Sequence, residues 1–233
     1  MKLLTTVFSH FVALIFPDSC YGCGNDLVAQ ENIICTRCRV EIPKTNTVIE
    51  PENAIKLKFA GRVDFKYAIS YAQYTKSGIV GKLLKALKYN GITEVGTTLG
   101  QWLGHEMLVH GYADKFDIII PVPLHKNKQA RRGYNQAEIF GESLAHVLGC
   151  EMKTDAVLRI KFTQSQTKFS GEARWDNVKD IFKTIHPELI KNKRILLVDD
   201  VVTTGATIEA LANEILKHQP KEISLAMIAD ADY

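Results

Sequence analysis

The sequence predicts an α/β fold with a largely parallel sheet, preceded by a small N-terminal metal-binding module. Two observations lead to this prediction. Four cysteines stand in two C-x-x-C pairs near the start, and after Pro51 β-branched or aromatic runs alternate with helical periodicity. Because 233 residues suffice for one substantial domain and one small module, we expect the module over 1–50 and the main domain over 51–233.

The composition is that of a globular protein, with 46% apolar and 24% charged residues. Its formal net charge of +3 is too small to draw the whole molecule onto nucleic acid or an anionic membrane. Any site for an anionic ligand must therefore be local.

The first segment, residues 1–16, is apolar and shows the spacing of an amphipathic helix. It is interrupted by Ser9 and His10 and stops at Pro17, so it is shorter than the about 20 apolar residues of a membrane span. It also lacks the small residues of a signal cleavage site. We therefore expect a packed helix and a cytoplasmic protein without membrane insertion.

Four of the five cysteines, Cys20, Cys23, Cys35 and Cys38, form two pairs separated by eleven residues. Two residues between thiols let one turn direct both sulfurs at a single ion, and two such turns complete the tetrahedral shell that zinc prefers. Four thiolates leave no open coordination position, so we predict a structural zinc site. Two disulfides are the alternative, but a reducing compartment disfavours them and Cys150 would be left over.

The first half of the main domain begins with a predicted strand over 65–74, which is aromatic and β-branched. A helix over 79–87 has its leucines on one face and is ended by Asn90-Gly91. A second helix follows over 93–109. Residues 116–120 form a short apolar run that ends at proline, which is typical of a buried strand.

The second half continues the alternation. A helix is predicted over 135–148, with Gly149 as its stop signal, and the clearest strand covers 194–198. A helix over 206–217 carries isoleucine and leucine at helical spacing, and a final strand covers 223–228. This order predicts helices that connect parallel strands.

The most informative stretch, 195–207, joins a strand, an acidic pair and the start of a helix. Backbone N–H groups of a Thr/Gly turn at a helix N-terminus form a cradle for phosphate. The carboxylates of Asp199 and Asp200 would repel that phosphate unless they accept hydrogen bonds from hydroxyls or share Mg²⁺. A sugar phosphate satisfies both conditions. Helix capping alone would explain one of these oxygens but not the whole run.

A basic segment, 124–132, follows the predicted strand over 116–120. It contains five basic residues and no acidic one: His125, Lys126, Lys128, Arg131 and Arg132. We expect a loop that closes over a diphosphate, with Gly133 as the hinge. A solvated surface loop is the alternative.

The stretch 198–207 closely resembles the phosphoribosyl pyrophosphate signature of type I phosphoribosyltransferases. Together with the four-cysteine start, the segments 121–125 and 132–136 are most similar to the competence protein F (ComF) family. The resemblance covers nearly the whole chain. It includes the segment 87–91 and four residues further along the chain, namely Thr163, Gln166, Arg174 and Asn177.

The resemblance implies a Rossmann-like type I phosphoribosyltransferase fold and a Mg²⁺-dependent site for 5-phosphoribosyl 1-pyrophosphate. By this resemblance, the catalytic residues that bind the ribose hydroxyls are Asp199 and Asp200. The cradle for the 5′-phosphate consists of Thr203, Thr204, Gly205, Ala206 and Thr207. The donors to the pyrophosphate are Lys126, Lys128, Arg131 and Arg132. A side chain at Gly205 is expected to block the phosphate and leave the fold largely intact.

The implied reaction is a glycosyl transfer, in which a base or related acceptor displaces pyrophosphate from phosphoribose. A second function stays open: a non-catalytic phosphoribosyl pyrophosphate-binding protein that assists competence and DNA uptake. In that case the zinc module would contact single-stranded DNA or a partner protein, through Arg37, Arg39 and Lys44. The sequence names neither the acceptor nor the oligomeric state.

Overall fold

The computed structural model describes residues 18–28, 30–161 and 181–231. The helix predicted over 1–16 lies outside these residues. So do Thr163, Gln166, Arg174 and Asn177.

The centre of the fold is a five-stranded parallel sheet with the order β1-β7-β6-β2-β3. Its strands are β1 (Ala68–Gln73), β2 (Ile118–Pro121), β3 (Glu151–Met152), β6 (Arg194–Val202) and β7 (Glu222–Asp230). Strands β4 (Val157–Arg159) and β5 (Phe182–Thr184) form a separate antiparallel pair.

The helices are α1 (Thr36–Glu41), α2 (Ala54–Lys58), α3 (Ile79–Tyr89), α4 (Glu94–Val109), α5 (Lys126–Arg132), α6 (Gln136–Leu148) and α7 (Ala206–Leu216). A short 3₁₀ helix covers Pro187–Leu189. The strands and helices predicted between residues 65 and 228 are therefore confirmed, with small shifts of their ends.

Two differences from the sequence prediction concern the candidate site. Strand β6 does not stop at Val198; it pairs with β7 as far as Val202, so the two aspartates lie inside the strand. The basic segment forms helix α5 rather than a loop. The His125 side chain accepts a hydrogen bond from the Asn127 N–H at 3.2 Å, and Gly133 ends the helix at φ 87°.

Helices cover both faces of the sheet. On one face, α3, α4 and α6 pack with the four-cysteine module on alternate strand residues, for example Ile119 and Leu196. On the other face, α7 and the segment around Phe59 pack on the intervening residues, for example Ile118 and Ile195. Because both faces are buried, the central strands are continuous apolar runs.

The N-terminal module is joined to the sheet by backbone hydrogen bonds along β1. The Thr45 N–H donates to the Tyr71 carbonyl at 3.2 Å, and the Gln73 N–H donates to the Pro43 carbonyl at 2.8 Å. The cysteines also share one hydrophobic core with α3 and α4. The domain boundary between residues 50 and 51 stays a prediction. In the described part of the chain, no helix is both long and apolar enough to cross a membrane.

Candidate functional site

The four cysteines come together as the sequence predicts. The sulfur atoms of Cys20, Cys23, Cys35 and Cys38 all lie within 4.8 Å of one another. The Cys23 and Cys35 sulfurs are 3.8 Å apart, and about 3.8 Å is the edge of a tetrahedron with metal–sulfur bonds of about 2.3 Å. All four thiols are free. The cluster therefore fits one zinc ion, and the structure does not contain the two disulfides of the alternative.

Backbone donors favour the thiolate form of Cys20, whereas burial and the neighbouring cysteines raise the pKa of Cys35 and Cys38. Burial alone would raise the pKa of Cys20, but N–H groups of Cys35, Cys23 and Gly22 donate to its sulfur and lower the pKa to about 6. Because the thiolate is the form that binds metal, this favours ligation at neutral pH.

A second site lies at the carboxyl ends of β2 and β6, which are neighbours in the sheet. Pro121 at the end of β2 is paired with Val198 in β6, one residue before the acidic pair. A cavity of about 470 Å³ opens there. Its lining includes the acidic pair, Thr207, and basic residues from three separate segments. Ligand sites in open parallel sheets are expected at this edge.

The acidic pair forms one wall of the cavity. Asp200 is buried and its Oδ1 lies 2.9 Å from the Nζ of Lys88, which reaches it from the end of α3. The Asp199 Oδ1 accepts the Asp200 N–H at 2.8 Å. Burial and the adjacent Asp200 carboxylate together raise the pKa of Asp199 to about 7. The pair therefore resists carrying two full negative charges.

The predicted phosphate cradle is the turn between β6 and α7. Thr203 and Thr204 are exposed, Gly205 precedes the helix at φ 78°, and Thr207 lines the cavity. Gly205 has no side chain that could cap α7, and the Thr204 hydroxyl accepts the Ala206 N–H at a long distance of 3.5 Å. The other N–H groups of the first turn of α7 are therefore placed to bind an anion, as at other helix N-termini.

Gly205 has a second reason to be glycine that the sequence does not reveal. A Cβ atom there would lie 2.6 and 2.7 Å from ring atoms of Phe59, which is fully buried. The expectation that a side chain at Gly205 leaves the fold intact is therefore wrong, because it would also displace a core ring.

The cavity lining also contains a group of basic residues. We call Lys128, Arg131, Arg132 and Arg159 the cationic wall, since all four line the cavity. Burial, together with the charges of Arg159, Arg132 and Arg131, lowers the pKa of Lys128. Lys126 is exposed and is not among the lining residues. These cations repel one another, so an anionic ligand would relieve the repulsion.

The segment 87–91 is tied to the segment 132–136 by two contacts. The Tyr134 hydroxyl donates to the Leu87 carbonyl. The Arg132 guanidinium lies 5.5 Å from the centre of the Tyr89 ring. Both segments line the same cavity.

Lys88, Gln136 and Arg159 line the cavity but were not among the predicted site residues. Lys88 and Gln136 lie inside the segments 87–91 and 132–136, so their membership in these segments could have indicated them. Arg159 stands in β4, outside any recognised motif, and reaches the cavity only through the β4–β5 pair.

Comparisons with known proteins agree with this architecture. The family model described as phosphoribosyl transferase domain matches residues 135–232. DNA utilization protein YhgH of Escherichia coli O157:H7 is 31% identical over 217 residues, which are 88% of this chain and 93% of that protein. The Salmonella typhi protein of the same name is 31% identical over 153 residues, 64% of this chain and 66% of that protein.

A third relative is competence protein F of Haemophilus influenzae. It is 35% identical over 116 residues, which are 49% of this chain and 51% of that protein. The parallel sheet and the matched domain together define a protein of the phosphoribosyltransferase fold. Within that class, the chain belongs to the competence protein F family, which also contains the YhgH proteins.

Proposed function

We propose that this protein is a Mg²⁺-dependent phosphoribosyltransferase that binds 5-phosphoribosyl 1-pyrophosphate and releases pyrophosphate as it transfers phosphoribose to an acceptor. The observation that supports this proposal is one cavity with an acidic wall, a cationic wall and the N-terminus of α7. A ribose with a phosphate at one end and a diphosphate at the other matches these three surfaces.

Each surface has a role in the proposal. The carboxylates of Asp199 and Asp200 accept hydrogen bonds from ribose hydroxyls, and the turn from Thr203 to Thr207 holds the 5′-phosphate. Lys128 and Arg131 of the cationic wall bind the diphosphate. Displacement at the anomeric carbon develops positive charge on the sugar and negative charge on the departing diphosphate, so fixed charges on the two walls would stabilise both.

The acidic pair is also suited to Mg²⁺, since carboxylate oxygens and phosphate oxygens are the ligands it prefers. Asp199 and Asp200 would hold the ion, with the ligand providing the remaining oxygens. The ion would supply positive charge beside the diphosphate. Lys88 also places positive charge beside the acidic pair, through its ion pair with Asp200.

The test is release of pyrophosphate. The protein is incubated with Mg²⁺, 5-phosphoribosyl 1-pyrophosphate and a panel of purine and pyrimidine bases, nucleosides and single-stranded DNA. We expect release with at least one acceptor. Arg131→Ala should lower turnover more than ligand affinity, because a diphosphate donor acts mainly on the developing charge. Lys126→Ala is the matched control, since it removes a charge from α5 but not from the cavity lining. No release above the rate without protein would contradict the proposal.

A second candidate function is supported by a groove between the four-cysteine module and α4. Its volume is about 960 Å³, and its lining includes Arg39, Lys44, Trp102, His105 and His110. The acidic Glu106 in the same groove is paired with Lys44 at 2.9 Å. A basic groove with an aromatic side chain suits single-stranded nucleic acid, and relatives of this chain are named for competence and DNA utilization.

In this second function the protein binds phosphoribosyl pyrophosphate without turnover and contacts single-stranded DNA through the groove. Fluorescence anisotropy with a labelled oligonucleotide tests the contact. Trp102→Ala should weaken binding about tenfold, the usual effect of losing one stacked base. Arg39→Ala should weaken it too. Arg37→Ala is the control, because Arg37 lies on the same helix but outside the groove and pairs with Glu41 at 2.8 Å. Equal effects of the two arginine variants would contradict the groove.

A further inference from the structure

Gln136 is the first residue of α6. Its side-chain amide oxygen has a hydrogen-bond partner, whereas its amide nitrogen has none among the described residues. The residue is 1% exposed and lines the cavity of the acidic pair. Its Oε1 accepts a hydrogen bond from Arg132. Its Nε2 is buried and has no hydrogen-bond partner among residues 18–28, 30–161 and 181–231. A buried amide donor without a partner is destabilising, so its persistence in a cavity points to a ligand.

The orientation of this amide is fixed by its neighbour. Arginine has donors and no acceptor, so the amide oxygen must face Arg132 and the NH₂ group must face away from it. Arg132 itself is held in place, because its guanidinium stacks 5.5 Å from the centre of the Tyr89 ring. The Gln136 donor is therefore preorganised before any ligand arrives.

The surroundings of this donor select an anion. Gln136 begins a helix of thirteen residues, whose positive end faces the cavity. Lys128 and Arg131 line the same cavity and add positive charge. In the proposed function the acidic pair is assigned to the ribose hydroxyls, and the 5′-phosphate has its own cradle at α7. The group left for Gln136 is the diphosphate.

We propose that Gln136 is a hydrogen-bond donor to an anionic oxygen of the diphosphate, and that Arg132 is a positioning residue that acts through it. This inference rests on the proposed function. When the bond from the anomeric carbon to oxygen breaks, its electron pair leaves with the diphosphate. The amide keeps its proton and stabilises the added charge, so no acid or base is needed at this position.

The test is calorimetry of the full chain with two probes, inorganic pyrophosphate in Mg²⁺ and ribose 5-phosphate. In Gln136→Met we expect the dissociation constant for pyrophosphate to rise about tenfold or more, since one hydrogen bond to a charged group is lost. Affinity for ribose 5-phosphate should change less than twofold. Gln129→Met is the matched control, because Gln129 lies in α5 but is not among the lining residues.

A second variant separates the loss of the NH₂ donor from the loss of the hydrogen bond with Arg132. Gln136→Glu keeps an oxygen for Arg132 and removes the NH₂ donor, so it should lose at least as much pyrophosphate affinity as Gln136→Met. The positioning role is tested by combining Arg132→Met with Gln136→Met. We expect the double variant to lose no more affinity than the worse single variant. Additive losses would overturn the positioning role.

Three outcomes would overturn the inference about Gln136. If the wild-type protein binds both probes and Gln136→Met binds pyrophosphate equally well, the inference fails and the proposed function stands. If both Gln136 variants lose the two probes equally, the amide supports the whole site rather than the diphosphate. If the wild-type protein binds neither probe, the proposed function fails as well.

Discussion

The contact between Gly205 and Phe59 leads to a quantitative prediction for Gly205→Ala. At φ 78° a non-glycine residue costs about 1–2 kcal/mol. The new Cβ would also lie 2.6 Å from the Phe59 ring, and overpacking of this kind costs about 1–3 kcal/mol. The Phe59 ring has little room to move, because it packs edge-on against Phe65 with ring centres 5.1 Å apart. The variant should therefore lose about 2–5 kcal/mol of unfolding free energy.

The two contributions can be separated by urea denaturation followed by circular dichroism. Gly61→Ala is the matched control for the backbone, since Gly61 has φ 75° and its added Cβ would meet nothing within 4 Å. It should lose only about 1–2 kcal/mol. In a Phe59→Leu background, which makes room for the Cβ, Gly205→Ala should cost about as much as Gly61→Ala. The expected coupling between Gly205 and Phe59 is therefore about 1–3 kcal/mol.

Two results would contradict this prediction. One is that Gly205→Ala and Phe59→Leu have strictly additive effects on stability, and the other is that Gly205→Ala costs no more than Gly61→Ala. Either result would show that the ring yields at no cost. The glycine would then be required by the approach of a phosphate to the turn, which predicts a loss of ribose 5-phosphate affinity with normal stability.

Three further predictions concern stability. Gly100→Ala should cost about 1–3 kcal/mol in urea denaturation, because its Cβ would lie 2.5 Å from the Phe140 carbonyl oxygen where α4 crosses α6; no loss would contradict that close packing. Hydrogen bonds from Arg194 lower the pKa of Asp117 to about 2 from 3.8, so its stabilisation is present above about pH 4 and lost as the pH falls toward 2. Asp117→Asn should be less stable at neutral pH and lose less stability over that acid range; a profile parallel to wild type would contradict this. Protein purified without chelator should carry one zinc, and chelation should lower its thermal midpoint by more than about 5 °C; less than about half an equivalent of zinc would contradict the site.

The sequence predicts most of the sheet and helices because their signals are local. Periodicity marks the faces of α3 and α7, and continuous apolar runs mark the buried strands. The signal of the four-cysteine cluster is equally local, since each pair of thiols needs only one turn. These features require no knowledge of which distant segments meet.

Helix α5 is missed because its local signal is weak. It has seven residues and five of them are Lys, Arg or Asn, without an apolar face. Its ends are specified by other means, namely the His125 cap and the left-handed Gly133. Arg132 is then held against Tyr89, which belongs to a different helix. Contacts of this kind depend on the tertiary structure.

The residues of the candidate site show the same limit of prediction from local sequence. The acidic pair and the predicted cradle form one continuous stretch of sequence, whereas Lys88 reaches Asp200 from a helix on another part of the chain. Phe59 reaches Gly205 from a segment that precedes β1. Neither contact leaves a trace in local spacing.

Helix α3 gives the four-cysteine module a physical connection to the ligand cavity. At its start, Ile79 packs against Gly22, which lies between Cys20 and Cys23, since a Cβ on Gly22 would lie 3.1 Å from the Ile79 side chain. At its end, Lys88 pairs with Asp200 and Tyr89 contacts Arg132. An eleven-residue helix spans about 16 Å and transmits a displacement as a rigid body. A zinc ion held by the four cysteines would therefore fix the position of a helix whose far end contacts both the acidic pair and the cationic wall, which is a structural reason for joining the two modules in one chain.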